Sequence, residues 1–165
     1  MKKILAVVLA AAMIMSMTTA VFADTTIEGN SGTTDVTYET KESYTVTIPA
    51  DVKFDESYYY DDEVKVTNAL LAESRILTVT VDSANGYKLK YGNSEIAYTL
   101  TGDDLITEDN RTVLTVKSGI KVTDVREQEL DFETSEEAVK AATLAGEHKD
   151  TLTFTVYVED DSPAV

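Results

Sequence analysis

From Thr34 onward the chain is built on alternation with period two. Tyr44, Val46 and Ile48 fall on one side of an extended chain, Thr45 and Thr47 on the other. Val64 and Val66 oppose Lys65 and Thr67, and Leu77, Val79 and Val81 oppose Thr78, Thr80 and Asp82. Successive side chains of a strand point to opposite faces, and β-branched and aromatic residues suit a pleated, half-buried surface. Tyr87, Leu89 and Tyr91 form a further inward row, as do Ile96, Tyr98 and Leu100. Leu114/Val116, Ile120/Val122 and a closing set of Leu152, Phe154, Val156 and Val158 complete the pattern. Asn85-Gly86 tolerates positive φ and Gly92-Asn93 marks a second turn. Residues 76–101 are therefore expected to form a three-stranded antiparallel meander.

One segment departs from this period. Thr134-Ser135-Glu136-Glu137 has the form of a capping box with Thr134 as the cap. Ala138, Ala141, Ala142 and Ala145 then follow at helical spacing, with Gly146 at the C-cap position. The spacing predicts a short helix near 135–145, its alanine face close against a sheet. Many short strands with one crossing helix predict an all-β fold: an immunoglobulin-like antiparallel β-sandwich of about seven to nine strands.

The N-terminus has a different texture. Lys2 and Lys3 precede an apolar run from Ile4 to Met15, and Val21-Phe22-Ala23 ends in small residues before Asp24. An export signal carries roughly 7–15 apolar residues, whereas a membrane helix needs about 20. Residues 1–23 are read as a signal peptide cut between Ala23 and Asp24. Residues 24–33 read as a disordered leader, 34–160 as the sandwich domain and 161–165 as a flexible tail. No second apolar stretch suits a membrane span, so none is expected in the mature protein.

The signal holds two of the 14 Lys and Arg and none of the 30 Asp and Glu, leaving 12 basic against 30 acidic side chains, a formal −18. Such a surface repels nucleic acid, whose binding depends on basic side chains that release counterions. With no cysteine in the chain, neither a disulfide framework nor an acylated lipoprotein anchor is available. The C-terminal residues carry no LPxTG motif, so the expected product is released, or held at the surface through other molecules.

Candidate chemistry is sparse. His148 is the single histidine and lies in a polar turn, where it reads as a solvated side chain rather than a base or ligand. No cysteine nucleophile exists, and no spacing among the acids singles out the carboxyl pair of a glycosidase. No catalytic residue is assigned. Tyr58, Tyr59 and Tyr60 form the most unusual local feature: flat rings beside acids, suited to a sugar or a protein partner. Asp61, Asp62 and Glu63 are candidate calcium ligands, since calcium takes six to eight oxygens.

Glu42-Ser43-Tyr44-Thr45-Val46-Thr47-Ile48-Pro49-Ala50 opens the domain, and Ala145-Gly146-Glu147-His148-Lys149-Asp150-Thr151-Leu152-Thr153-Phe154-Thr155-Val156 closes it. With the export signal, these segments resemble secreted β-sandwich proteins of Gram-positive (Firmicutes) bacteria, of the adhesin-like and WxL type. The resemblance implies a surface or matrix location and no activity. The chain has no tryptophan, so the W-x-L wall-binding motif is absent. The expectation is a secreted, non-catalytic extracellular module for adhesion or structure, its partner a cell-surface protein or glycan, or a second copy. The alternative is a carbohydrate-binding module using the tyrosine cluster, with or without calcium.

Overall fold

The computed structural model describes residues 37–161. The signal peptide, the Ala23–Asp24 cleavage site, the 24–33 leader and residues 162–165 of the tail lie outside them. The described residues from Lys41 onward form one compact unit.

Among the described residues the fold is all-β, with antiparallel pairing throughout and one short helix. Ten strands follow in order: β1 (Ser43–Thr47), β2 (Tyr59–Leu70), β3 (Arg75–Ser83), β4 (Lys88–Tyr91), β5 (Ser94–Ala97), β6 (Thr99–Thr101), β7 (Leu105–Ile106), β8 (Thr112–Lys117), β9 (Arg126–Glu133) and β10 (Leu152–Asp160). They form a five-stranded sheet in the order β1-β2-β9-β6-β7, a three-stranded sheet β10-β3-β8 and a separate hairpin β4-β5. The two larger sheets close over a single core. Val64 and Val66 of β2, Leu100 of β6, and Leu130 and Phe132 of β9 come from one side. Leu77, Val79 and Val81 of β3 and Val116 of β8 come from the other. The inward rows of β2 and β3 are therefore those that alternation marks in the sequence.

The expected 76–101 meander does not form. Asn85-Gly86 does turn the chain, with positive φ at Gly86 (65°) and Tyr87 (58°). However, β3 gives both its edges to distant strands, β10 and β8. The ladder of β3 with β10 runs nine residues, from Ser83↔Leu152 to Arg75↔Asp160, whereas β4 is four residues long. The longer ladder takes the edge. β4 pairs instead with β5 across Gly92-Asn93, the second expected turn.

Other departures have local causes. The segment around Ile120 and Val122 is turn and coil; Ile120 packs on the core while Val122 is exposed. A bulge in the β3–β8 ladder brings Val113 inward alongside Leu114 and Val116. In β1 only Val46 packs on the core, and Tyr44 and Ile48 are exposed. β9 carries charge at five of its eight positions, yet Leu130 is 0% and Phe132 1% exposed.

The helix α1 (Glu136–Lys140) ends five residues before the 145 that its alanine spacing suggests, and buries no residue. Its cap is Ser135, whose Oγ accepts from Ala138 N at 3.1 Å. Thr134 is not the cap; its hydroxyl donates to Ala97 O at 2.7 Å and ties the helix entry to the end of β5.

Candidate functional site

Among the described residues a groove of about 980 Å³ opens at one flank of the sandwich. Its walls are the segment 48–54 that follows β1 and the segment 146–151 that leads into β10. Leu152 and Phe154 of β10, Phe132 of β9, and Ile96 and Leu89 of the hairpin supply apolar lining.

Asp150 holds one wall in place. Its carboxylate accepts from Ser83 Oγ (2.6 Å), Tyr98 Oη (2.7 Å), Asn85 N (3.1 Å) and Thr151 N (2.7 Å). Four donors from three separate chain segments thus meet on one side chain, fixing the turn after β3, the β5–β6 junction and the start of β10. Burial, followed by the hydrogen bond to Asp150, pushes the Tyr98 phenol well above the ordinary tyrosine range. Tyr98 also packs against Phe54 and Tyr87, with ring centroids 6.1 and 6.0 Å away.

His148 is not the solvated side chain that its polar neighbours suggest. It is half-buried, its Nε2 lies 2.8 Å from Ser94 Oγ, and its ring tilts against Tyr91 at 5.8 Å. A serine beside a histidine has the outline of a nucleophile and its base, but this serine is occupied. Ser94 is 1% exposed, and its oxygen already accepts from Thr143 N (2.9 Å) and Leu144 N (3.3 Å). With both lone pairs taken, its hydroxyl hydrogen goes to His148 Nε2, and Nδ1–H donates to Gly146 O at 3.1 Å. The pair fastens the segment after α1 onto β5. Gly146 completes the clasp, since a Cβ there would come within 2.6 Å of the Tyr91 ring.

The tyrosine cluster is divided by the pleat. Tyr58 precedes β2 with φ of 61°, its amide donating to Asp55 O and its carbonyl accepting from Thr134 N. Tyr60 turns inward, edge-on to Phe132 at 6.2 Å. Tyr59 faces outward, 42% exposed, and donates its phenol hydrogen to Asp131 Oδ1. That bond, with the acids Asp61 and Glu129 nearby, pushes the Tyr59 phenol up to about 12.

Asp61, Asp62 and Glu63 lie inside β2, so their side chains alternate rather than converge. Asp62 shares the face of Tyr60 and Val64, and its Oδ1 accepts from Glu63 N at 2.8 Å. Asp61 and Glu63 face outward, directly opposite Asp131 and Glu129 of β9. Lys65, in contact with Glu63 and 3.6 Å from Glu127, answers part of this negative ladder. Those contacts, Glu63's first, raise the Lys65 ammonium above its usual range. Among the described residues no group of three or more His, Cys, Asp or Glu is placed to hold a metal ion. None of the described helices is long and apolar enough to cross a membrane.

The groove itself was not visible to sequence reasoning. Its one readable signal was the apolar row of the last strand. No family model matches the chain, and no curated protein does. Among solved structures the chain is similar to the P pilus rod subunit PapA, at 14% identity and a TM-score of 0.45, over 70% of this chain and 99% of that one.

Proposed function

We propose that this chain is an exported, non-catalytic structural module that works by joining other chains, copies of itself first among them, at the cell surface. The observation that carries this is an asymmetry between two neighbouring strands. The inward row of β3 is sealed in the core, while Leu152, Phe154, Val156 and Val158 of β10 are each left half-buried. β10 ends its sheet, and among the described residues no strand lies on its second edge. An uncovered edge with apolar side chains beneath it is a template for another chain. Export is supported by the signal-like residues 1–23, and a surface location by the resemblance of the opening and closing segments.

A non-catalytic role is supported by the occupied Ser94–His148 pair, the one arrangement with the outline of nucleophilic machinery described above. The test is the association state of the mature protein beginning at Asp24, by size exclusion with light scattering and by electron microscopy. Concentration-dependent oligomers or filaments are expected. A strict monomer at the highest attainable concentration would overturn the proposal.

A further inference from the structure

The free edges of the two larger sheets are unequally defended. β1 is five residues long, has a register shift between Ser43 and Thr45, and runs into Pro49. β7 has only two residues, and β8 carries the bulge at Val113. Short length, bulges, proline and lysine are the usual guards of an edge strand. β10 has none of them. It runs nine residues without a register shift, has no lysine or proline, and carries its acids only at the Glu159-Asp160 end.

Residues 34–40 have the pattern that this edge lacks. Thr34, Val36, Tyr38 and Thr40 alternate with Asp35, Thr37 and Glu39. The first four positions match in number the four half-buried positions of β10, and the other three would face water. Seven residues of strand span about 23 Å at roughly 3.3 Å each, within the length of β10. Within their own chain the described residues 37–40 belong to no strand, and Tyr38 is 81% exposed.

We propose that residues 34–40 of a second copy lie along the free edge of β10 as an added strand, their Val36 and Tyr38 completing the apolar flank. This rests on the self-association proposed above and names its contact. Strand addition gains affinity from main-chain hydrogen bonds and specificity from alternate side chains, the two resources displayed here. Each chain offers one segment and one edge, so the contact is head-to-tail and propagates unless it closes into a ring.

The absence of cysteine allows a clean test in the full mature chain. One variant carries Thr37→Cys and another Thr155→Cys, both on the row facing water. Their oxidised mixture should give a cross-linked heterodimer, since neighbouring strands bring Cα atoms within disulfide range. The pair Val36→Asp with Tyr38→Asp should weaken association at least tenfold. If a single chain carrying both Thr37→Cys and Thr155→Cys closes within itself instead, at monomer mass and high dilution, the segment serves its own edge and the proposal falls. If the mature protein associates while no cross-link forms at Thr155 or, in a second variant, at Tyr157→Cys, this contact is wrong and self-association stands. A monomer without cross-links removes both.

Discussion

Tyr98 Oη donates to Asp150 Oδ2 at 2.7 Å, across 52 residues of sequence, and fastens the β5–β6 junction to the turn that launches β10. The two ends of this bond are not equivalent. Tyr98→Phe removes one donor and leaves Asp150 with three. Asp150→Ala strips the acceptor from Tyr98, Ser83 and two backbone amides at once. A typical hydrogen bond contributes about 1 kcal/mol net, and each stranded buried group costs about 1–3 kcal/mol. Since Asp150 is only half-buried and water reaches part of the site, the expected losses are about 1 kcal/mol for Tyr98→Phe and about 2–3 kcal/mol for Asp150→Ala. Urea unfolding of both variants measures this; equal losses would refute the central role of Asp150.

β9 should prove as important to the core as any apolar strand. Phe132 sits in the cluster against Tyr60, and Phe132→Ala is expected to cost about 3–5 kcal/mol. A thermal scan showing a loss under about 1 kcal/mol would contradict the placement of β9 between β2 and β6.

The outward pairs Asp61–Asp131 and Glu63–Glu129 set like charges directly opposite one another, which destabilises a sheet. Glu129→Lys should therefore raise stability by about 0.5 kcal/mol, and added salt should stabilise the parent protein more than this variant. A variant that melts lower than its parent in low salt would argue against repulsion on this face.

Tyr59 should titrate near pH 12, above the usual value of 10.0. A folded pKa above the unfolded one means the neutral phenol is favoured: its contribution is complete below pH 10 and lost as pH rises towards 12. Ultraviolet difference titration of the parent against Tyr59→Phe isolates this group. Asp131→Asn should bring it back towards 10, and an unchanged midpoint would discount the Asp131 bond.

Glu95 shifts the other way. Hydrogen bonds from Lys88, then Lys90, hold its carboxyl below the usual 4.5. This contribution is present above pH 4.5 and disappears as pH falls through the lowered value. Lys88→Ala with Lys90→Ala should flatten the stability profile in that acidic window, and an unaltered acid limb would speak against the pairing.

Facing was legible from sequence where apolar residues recur at every second position. Leu77, Val79 and Val81, Val64 and Val66, and Ile96, Tyr98 and Leu100 are buried as their period requires. The helix was legible in position but not in extent: Ser135 rather than Thr134 caps it, it ends at Lys140, and none of its residues is fully buried. β9 escaped because its outward residues are all charged, leaving Leu130 and Phe132 as the sole apolar marks on a central strand. His148 was misplaced for a related reason: its neighbours in sequence are polar, while its partner Ser94 lies 54 residues away.

The sequence by itself determined the inward rows of β2 and β3 and the row of Ile96, Tyr98 and Leu100, since which side chains leave water there follows local alternation. Only the tertiary structure decided which edges meet. Asn85-Gly86 marks a turn, but it cannot announce that β3 will pair over nine residues with β10 rather than over four with β4. Pairing is a competition between ladders of different length and reach, and its loser is written nowhere along the chain. The same competition leaves one edge of β10 open beside the groove, so the edge to which we assign self-association is a consequence of the fold rather than of any motif.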